Sequence, residues 1–198
     1  MSSISDSTEE TENDAIDKEQ AAIVEAYKNP YYRYLVLGIL TTVYISNFVD
    51  RQVINILASY IIEDLNISDG QFGMLSGLAF ALIYTTLGIP IARWADISNR
   101  RNVIAISATI WSVMTAACGA ANSFGQLFLA RFGVGIGEAG GSPPAHSIVS
   151  DIFPANQRAT ALSIYSLGVY GGILVGTVGG AYLVQYFDWR TAFVVVGL

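Results

Sequence analysis

From Tyr34 to Leu198 the chain reads as long apolar runs separated by short polar breaks. A helix crossing the hydrocarbon core of a bilayer needs about 20 mostly apolar residues. The pattern predicts spans at about 33–61, 70–94, 101–121, 124–150 and 158–184, and a sixth that opens at Trp189 and is cut off at Leu198. Those last residues reach only ~15 Å as a helix, so the sixth span is expected to be an incomplete crossing. Ser68, followed three positions later by Gln71, is a capping-box pattern that opens the second span. The polar run from Asp96 to Arg101 divides the second span from the third, Asn122-Ser123 the third from the fourth, and Pro154-Ala155-Asn156 the fourth from the fifth. Asp188-Trp189-Arg190 precedes the sixth, with Trp189 expected at the membrane interface. Within the fourth span, the run Gly140-Gly141-Ser142-Pro143-Pro144 is expected to bend or partly unwind the helix.

Composition agrees with this pattern: 53% of the residues are hydrophobic and only 13% charged, against roughly 25% charged in a soluble domain. The net charge of −6 lies entirely in residues 1–28, which hold eight acids and two bases. Residues 1–30 therefore read as an acidic, disordered tail, with a possible amphipathic surface helix over 15–28, and residues 31–198 as the membrane bundle. The tail lacks the basic and apolar regions of a signal peptide. No basic patch suggests nucleic acid. Cys118 stands alone in an apolar run and reads as a packing residue.

The bases set an orientation. Lys28 and Arg33 precede the first span, Arg93, Arg100 and Arg101 surround the 2–3 loop, and Arg158 ends the 4–5 loop. The 1–2 loop carries Glu63, Asp64 and Asp69 without a base. The positive-inside rule places the N-terminus in the cytoplasm of a multi-pass protein, expected in a bacterial inner membrane. Asn66-Ile67-Ser68, a glycosylation-type triplet, falls on the outer side.

Four charges lie where the bilayer core should be: Asp50 and Arg51 in the first span, Arg131 and Glu138 in the fourth. Each costs ~2.5–3.5 kcal/mol or more at the helix centre, so such residues face a cavity or a partner. Arg131 and Glu138 are two turns apart on one face, whereas the adjacent Asp50 and Arg51 point in different directions. The economical arrangement sets the first and fourth spans side by side, with Glu138 meeting Arg51 or Asp50 meeting Arg131. A permanent packing network is the bland reading. The functional one has the carboxylates take up and release protons as a cavity opens to either side. His146, after Pro143-Pro144, reads as a hydrogen-bonded core histidine rather than a third titrating group.

Glycine adds a second signal. Gly168, Gly172, Gly176 and Gly180 recur at four-residue intervals in the fifth span, and the fourth carries Gly133, Gly135, Gly137, Gly140 and Gly141. The second has Gly73 and Gly77. Such stripes let helix backbones approach closely in lipid, and smooth faces also let bundles rock.

Across 33–198 these residues resemble the major facilitator superfamily. The stretch from Ala92 to Arg101 looks like its cytoplasmic motif G-x-L-A-D-R-x-G-R-R, with Asp96, Arg100 and Arg101 matching. Ala92, Ile97 and Asn99 depart from it, which implies a weakened charge relay. Arg131 to Gly137 is similar to the R-x-x-x-G-x-G motif. The Spinster-like branch is the nearest resemblance, carried by Phe48-Val49-Asp50-Arg51, by Gly135-Ile136-Gly137-Glu138-Ala139 and by Asp188-Trp189-Arg190. The resemblance implies an all-α integral membrane fold, the N-terminal six-helix bundle of a twelve-helix transporter built of two inverted three-helix repeats, truncated in its sixth helix. It also implies proton-coupled alternating access for a small organic or amphiphilic, lipid-like solute. The partners are then the substrate, the proton, the bilayer and a missing C-terminal half. No cofactor and no metal are implied. The chain has one His and one Cys and no plausible triad, so an enzyme is not expected. A non-transporting membrane scaffold is the alternative.

Overall fold

A computed structural model describes residues 29–198, so the acidic tail and the surface helix expected over 15–28 lie outside the described residues. Packing divides the chain into two units at Gly38–Ile39. The described part of the first unit is the opening of α1 (Pro30–Ile56), where Tyr31, Tyr34 and Leu35 are exposed. The second unit, Ile39–Leu198, holds the remaining helices.

Among the described residues every regular element is helical. After α1 come α2 (Ala58–Leu65), α3 (Asp69–Gly73), a π-helical turn (Met74–Leu78) and α4 (Ala79–Ile97). They are followed by α5 (Arg100–Gly119), α6 (Phe124–Ala139), α7 (Ser142–Ile152), α8 (Ala155–Tyr186) and α9 (Trp189–Gly197). Three of these stretches, Asp69–Ile97, Arg100–Gly119 and Ala155–Tyr186, are long and apolar enough to cross a membrane on length and hydropathy alone. The first and fourth expected spans are not among these, and in the fourth a break divides α6 from α7.

The local chemistry explains the boundaries. At Leu57 the first span pauses for one residue, but Leu57 N–H still donates to Val53 O, and Ile61 N–H to Leu57 O. The helical path thus runs past the expected end at residue 61 to Leu65. There Asn66 adopts φ 48°, ψ 49° and turns the chain, the left-handed conformation that Asn tolerates better than most residues. Ser68 and Gln71 form the full capping box: the Ser68 hydroxyl accepts from Gln71 N–H, and the Gln71 side chain accepts from Ser68 N–H. The second expected helix runs from Asp69 to Ile97, widened by the π-helical turn before α4, and Pro90 removes one donor inside α4. Asn99, which stands where the loop motif has Gly, keeps a negative φ and caps α5 by accepting from Arg101 N–H. The fourth span breaks at Gly140-Gly141, within the Gly-Gly-Ser-Pro-Pro run.

Helix α5 packs against α6 and α9, and α4 against α6 and α7. The core includes Val53, Leu57, Ile61, Trp111, Leu127, Val134, Trp189 and Phe193. Trp189 is buried in this core, with Arg190 stacked over its ring at 4.3 Å. The outside is apolar: Leu129 is 69% exposed, Leu174 65% and Val178 62%. In water such surface is an aggregation liability, whereas in lipid it is what a bundle needs.

The glycine stripe of α8 sets the register against α1. A Cβ added at Gly168 would meet Thr41 and Tyr44, at Gly172 Ile45 and Phe48, at Gly176 Val49 and Gln52, and at Gly180 Val53 and Ile56. Both helices advance by four residues together, so they run parallel. A Cβ at Gly172 would overlap Phe48 Cβ, which leaves no room for a side chain. Gly73 and Gly77 meet nothing within 4 Å, so the expected close packing there is not made within the described residues.

Candidate functional site

Asp50 and Arg51 leave α1 about two turns before Leu57, and Arg131 and Glu138 leave one face of α6. The structure makes both of the pairings that cost alone suggests. Arg51 Nε donates to Glu138 Oε2 at 2.6 Å. Arg131 Nη1 donates to both oxygens of Asp50, at 3.4 and 3.2 Å. The Asp50–Arg131 pair is buried on both sides, whereas the Arg51 side chain remains 29% exposed beside a Glu138 side chain at 0%. The Arg51 guanidinium also lies over the rings of Phe48 and Tyr84, at 5.2 and 5.0 Å. One pair is thus sealed and the other has a partner within reach of solvent.

Two buried atoms in this cluster have no hydrogen-bond partner, Arg131 Nε and Glu138 Oε1. A pocket beside Glu138 is lined by Tyr44, Asn47, Trp111, Ser142 and Tyr165, among others. Tyr44 and Tyr165 stack at 4.4 Å and nearly parallel, and His146 meets the Tyr165 ring edge-on at 5.1 Å. His146 is exposed, which corrects the expectation of a core histidine. It follows two prolines at the start of α7, whose other face carries the buried Ala145 and Val149. Glycine makes this region possible. A Cβ at Gly137 would stand 2.6 Å from Trp111 N, and one at Gly140 would overlap Ser107 Oγ, so α6 and α5 touch backbone to backbone. Gly135 is buried on the same helix.

The loop motif behaves differently from the cluster. Arg100 pairs with Asp151 at the end of α7, and Asp96 and Arg101 are exposed. At the other end of the bundle Arg190 pairs with Asp64 at 2.7 Å and donates to Ala121 O. The acidic 1–2 loop therefore does find a base, from the far end of the sequence. Sequence reasoning missed Asp151 and Asp64 as partners because both are solvent-side acids whose contacts lie 51 and 126 positions away. It missed Tyr44 and Tyr165 as pocket walls. Only the spacing of Tyr44, three residues before Asn47, hinted at a shared face. Among the described residues no three His, Cys, Asp or Glu side chains gather as a metal would require.

Residues 40–198 match the Major Facilitator Superfamily. An efflux pump of that superfamily type from Mycolicibacterium smegmatis is 38% identical over 168 residues, 85% of this chain and 39% of that protein. A probable sphingolipid transporter, spinster homolog 3, of Arabidopsis thaliana is 30% identical over 69% of this chain and 26% of its own length. The crystal structure of a bacterial homologue of the human lysosomal transporter Spinster, inward-facing and unoccupied, superposes with a TM-score of 0.75 at 42% identity. The match covers 85% of this chain and 41% of that one. The chain thus spans about two fifths of the length of the first relatives it matches.

Proposed function

The chain belongs to the major facilitator superfamily, and from that premise we propose that it forms the N-terminal bundle of a secondary transporter whose α1–α6 ion pairs couple proton movement to alternating access. Members of the superfamily are multi-pass membrane proteins that carry small molecules, and the relatives named above are transporters rather than enzymes. The single observation that supports coupling is the Arg51–Glu138 pair. It joins a fully buried carboxylate with a free second oxygen to a guanidinium that solvent or a solute can reach.

The mechanism follows from cost. A carboxylate without a partner in an apolar site costs several kcal/mol unless it takes a proton. A solute that draws Arg51 away leaves Glu138 in that position, so solute binding and protonation are linked. The buried Asp50–Arg131 pair holds α1 to α6 while this happens. The glycine faces of α8 and α6 (Gly168, Gly172, Gly176, Gly180, Gly135 and Gly137) supply smooth contacts for rocking. Asp96, Arg100 and Arg101 gate the cytoplasmic end, with Arg100 held by Asp151. The solute class is a small organic or amphiphilic, lipid-like molecule. The sphingolipid name of the Arabidopsis relative, the Spinster likeness of the structural neighbour and the aromatic walls formed by Phe48 and Tyr84 around Arg51 support it.

The test is transport by the full-length protein in vesicles with an imposed pH gradient. Substrate comes first, from thermal-shift screening of lysolipids, organic anions and cationic drugs. Glu138→Gln should abolish gradient-driven accumulation while the protein still folds and binds. Full accumulation by Glu138→Gln and by Asp50→Asn would leave the charges with packing alone and favour the scaffold reading.

A further inference from the structure

Two stripes of side chains meet beside the ion pairs. On α1, Tyr44, Asn47 and Arg51 recur at spacings of three and four, so they share a face. Across the α6–α7 break, Glu138, Ser142 and His146 recur every four residues. The pocket between the stripes has room for about one water molecule. That size rules out a solute or a headgroup.

The polar groups around it ask for a donor. Glu138 Oε2 is held by Arg51, and Oε1 accepts no hydrogen bond from the protein, a costly state for a buried carboxylate oxygen. Asn47, 6% exposed, lines the same space. The Ser142 side chain interacts with the phenols of both Tyr44 and Tyr165. The charged groups acting on Glu138 are Arg51 and Asp50 from α1 and Arg131 from its own helix, and Tyr84 of α4 adds a phenol near Tyr44. Counted together, Asp50, Arg51, Arg131 and Glu138 cancel, so a neutral donor fits better than a metal cation. Beyond Tyr165 the His146 ring is exposed.

We propose that this pocket binds one water that donates to Glu138 Oε1 and bonds Asn47, and that the water, Ser142 and His146 form the route by which protons reach Glu138. The inference rests on the coupling reading above. In the forward step an O–H bond forms at Oε1 as one breaks on the water. The water is refilled by the Ser142 hydroxyl and Ser142 by a ring N–H of His146, while the other ring nitrogen takes a proton from outside. One proton moves inward and every intermediate donor is restored. The route ends on Oε1, whereas Arg51 holds Oε2, so the proton and the guanidinium meet different oxygens of the carboxyl.

The test follows the carboxyl itself in the full-length protein. Infrared difference spectra between acid and alkaline pH should contain a protonated-carboxyl band that Glu138→Gln removes. Rapid mixing into D2O then gives its exchange rate. Ala145→Val fills the pocket from its apolar wall, Asn47→Leu removes the water's second partner, and His146→Phe closes the outer end. Each should slow exchange about tenfold or more, with Gly179→Ala, whose Cβ would meet nothing within 4 Å, at the wild-type rate. Should Asn47→Leu fail to fold by circular dichroism, Ala145→Val and Ser142→Ala carry the test. Wild-type exchange in the folded variants overturns the water route and leaves the coupling reading standing. Absence of any Glu138 band overturns both.

Discussion

Asp50 and Arg131 are each almost wholly out of solvent, and each is the other's ion-pair partner. Arg131→Met strands Asp50 and should cost about 3–5 kcal/mol of stability. Adding Asp50→Asn removes the stranded charge and should recover most of that loss, as a double-mutant cycle of melting measurements will read. Asp188 offers a smaller, pH-dependent test at a loop. Its carboxylate accepts from Thr191 N–H at 2.9 Å and caps α9, and this hydrogen bonding holds its pKa below the usual aspartate value. A lowered folded value means the stabilisation is complete above the unfolded pKa of about 3.9 and disappears as pH falls through the folded one. The melting difference between wild type and Asp188→Ala should therefore be present at neutral pH and shrink in strong acid.

At the scale of elements, the contact between α1 and α8 is made by absent side chains. Gly172→Ala puts a methyl into Phe48 Cβ and 2.6 Å from Ile45 O, so the helices must part. Overpacking of this kind costs about 1–3 kcal/mol. Gly179→Ala, on the same helix but facing open space, should melt as wild type does. The four-residue repeat that identifies this stripe was legible in the sequence, because period alone defines a helix face. Which helix it would meet was not, since any of the others offers an apolar surface. Likewise the Gly-Gly-Ser-Pro-Pro run announced a break in the fourth span. Only the structure shows that Gly140 is also required by Ser107 across the interface.

For the whole molecule, the contacts at the two ends fix which loops share a side. Arg190, Asp64 and Ala121 bring together the 5–6, 1–2 and 3–4 loops, and Arg100 with Asp151 joins the 2–3 loop to the 4–5 loop. The parallel register of α1 and α8 agrees with this alternation. Which side faces the cytoplasm is a prediction from the bases. In a Cys118→Ala background, a cysteine introduced at Ser98 should react only with reagent on the cytoplasmic side, and one at Asn122 only with reagent outside. The native Cys118, at 0% exposure, should stay unlabelled until the protein is denatured.

Hydrophobic runs, caps and helical spacing are local properties. From them alone the sequence determined an all-helical membrane bundle, the cap at Ser68, and the four buried charges that demand partners. Partner choice is not local. Buried charges of both signs left two pairings open, and the packing of α1 against α6 made both. The same packing gave Glu138 one held oxygen and one free. His146 moved from the expected core to the surface. The reason is physical: composition tells which residues prefer burial, but only the neighbouring helices decide which faces they cover.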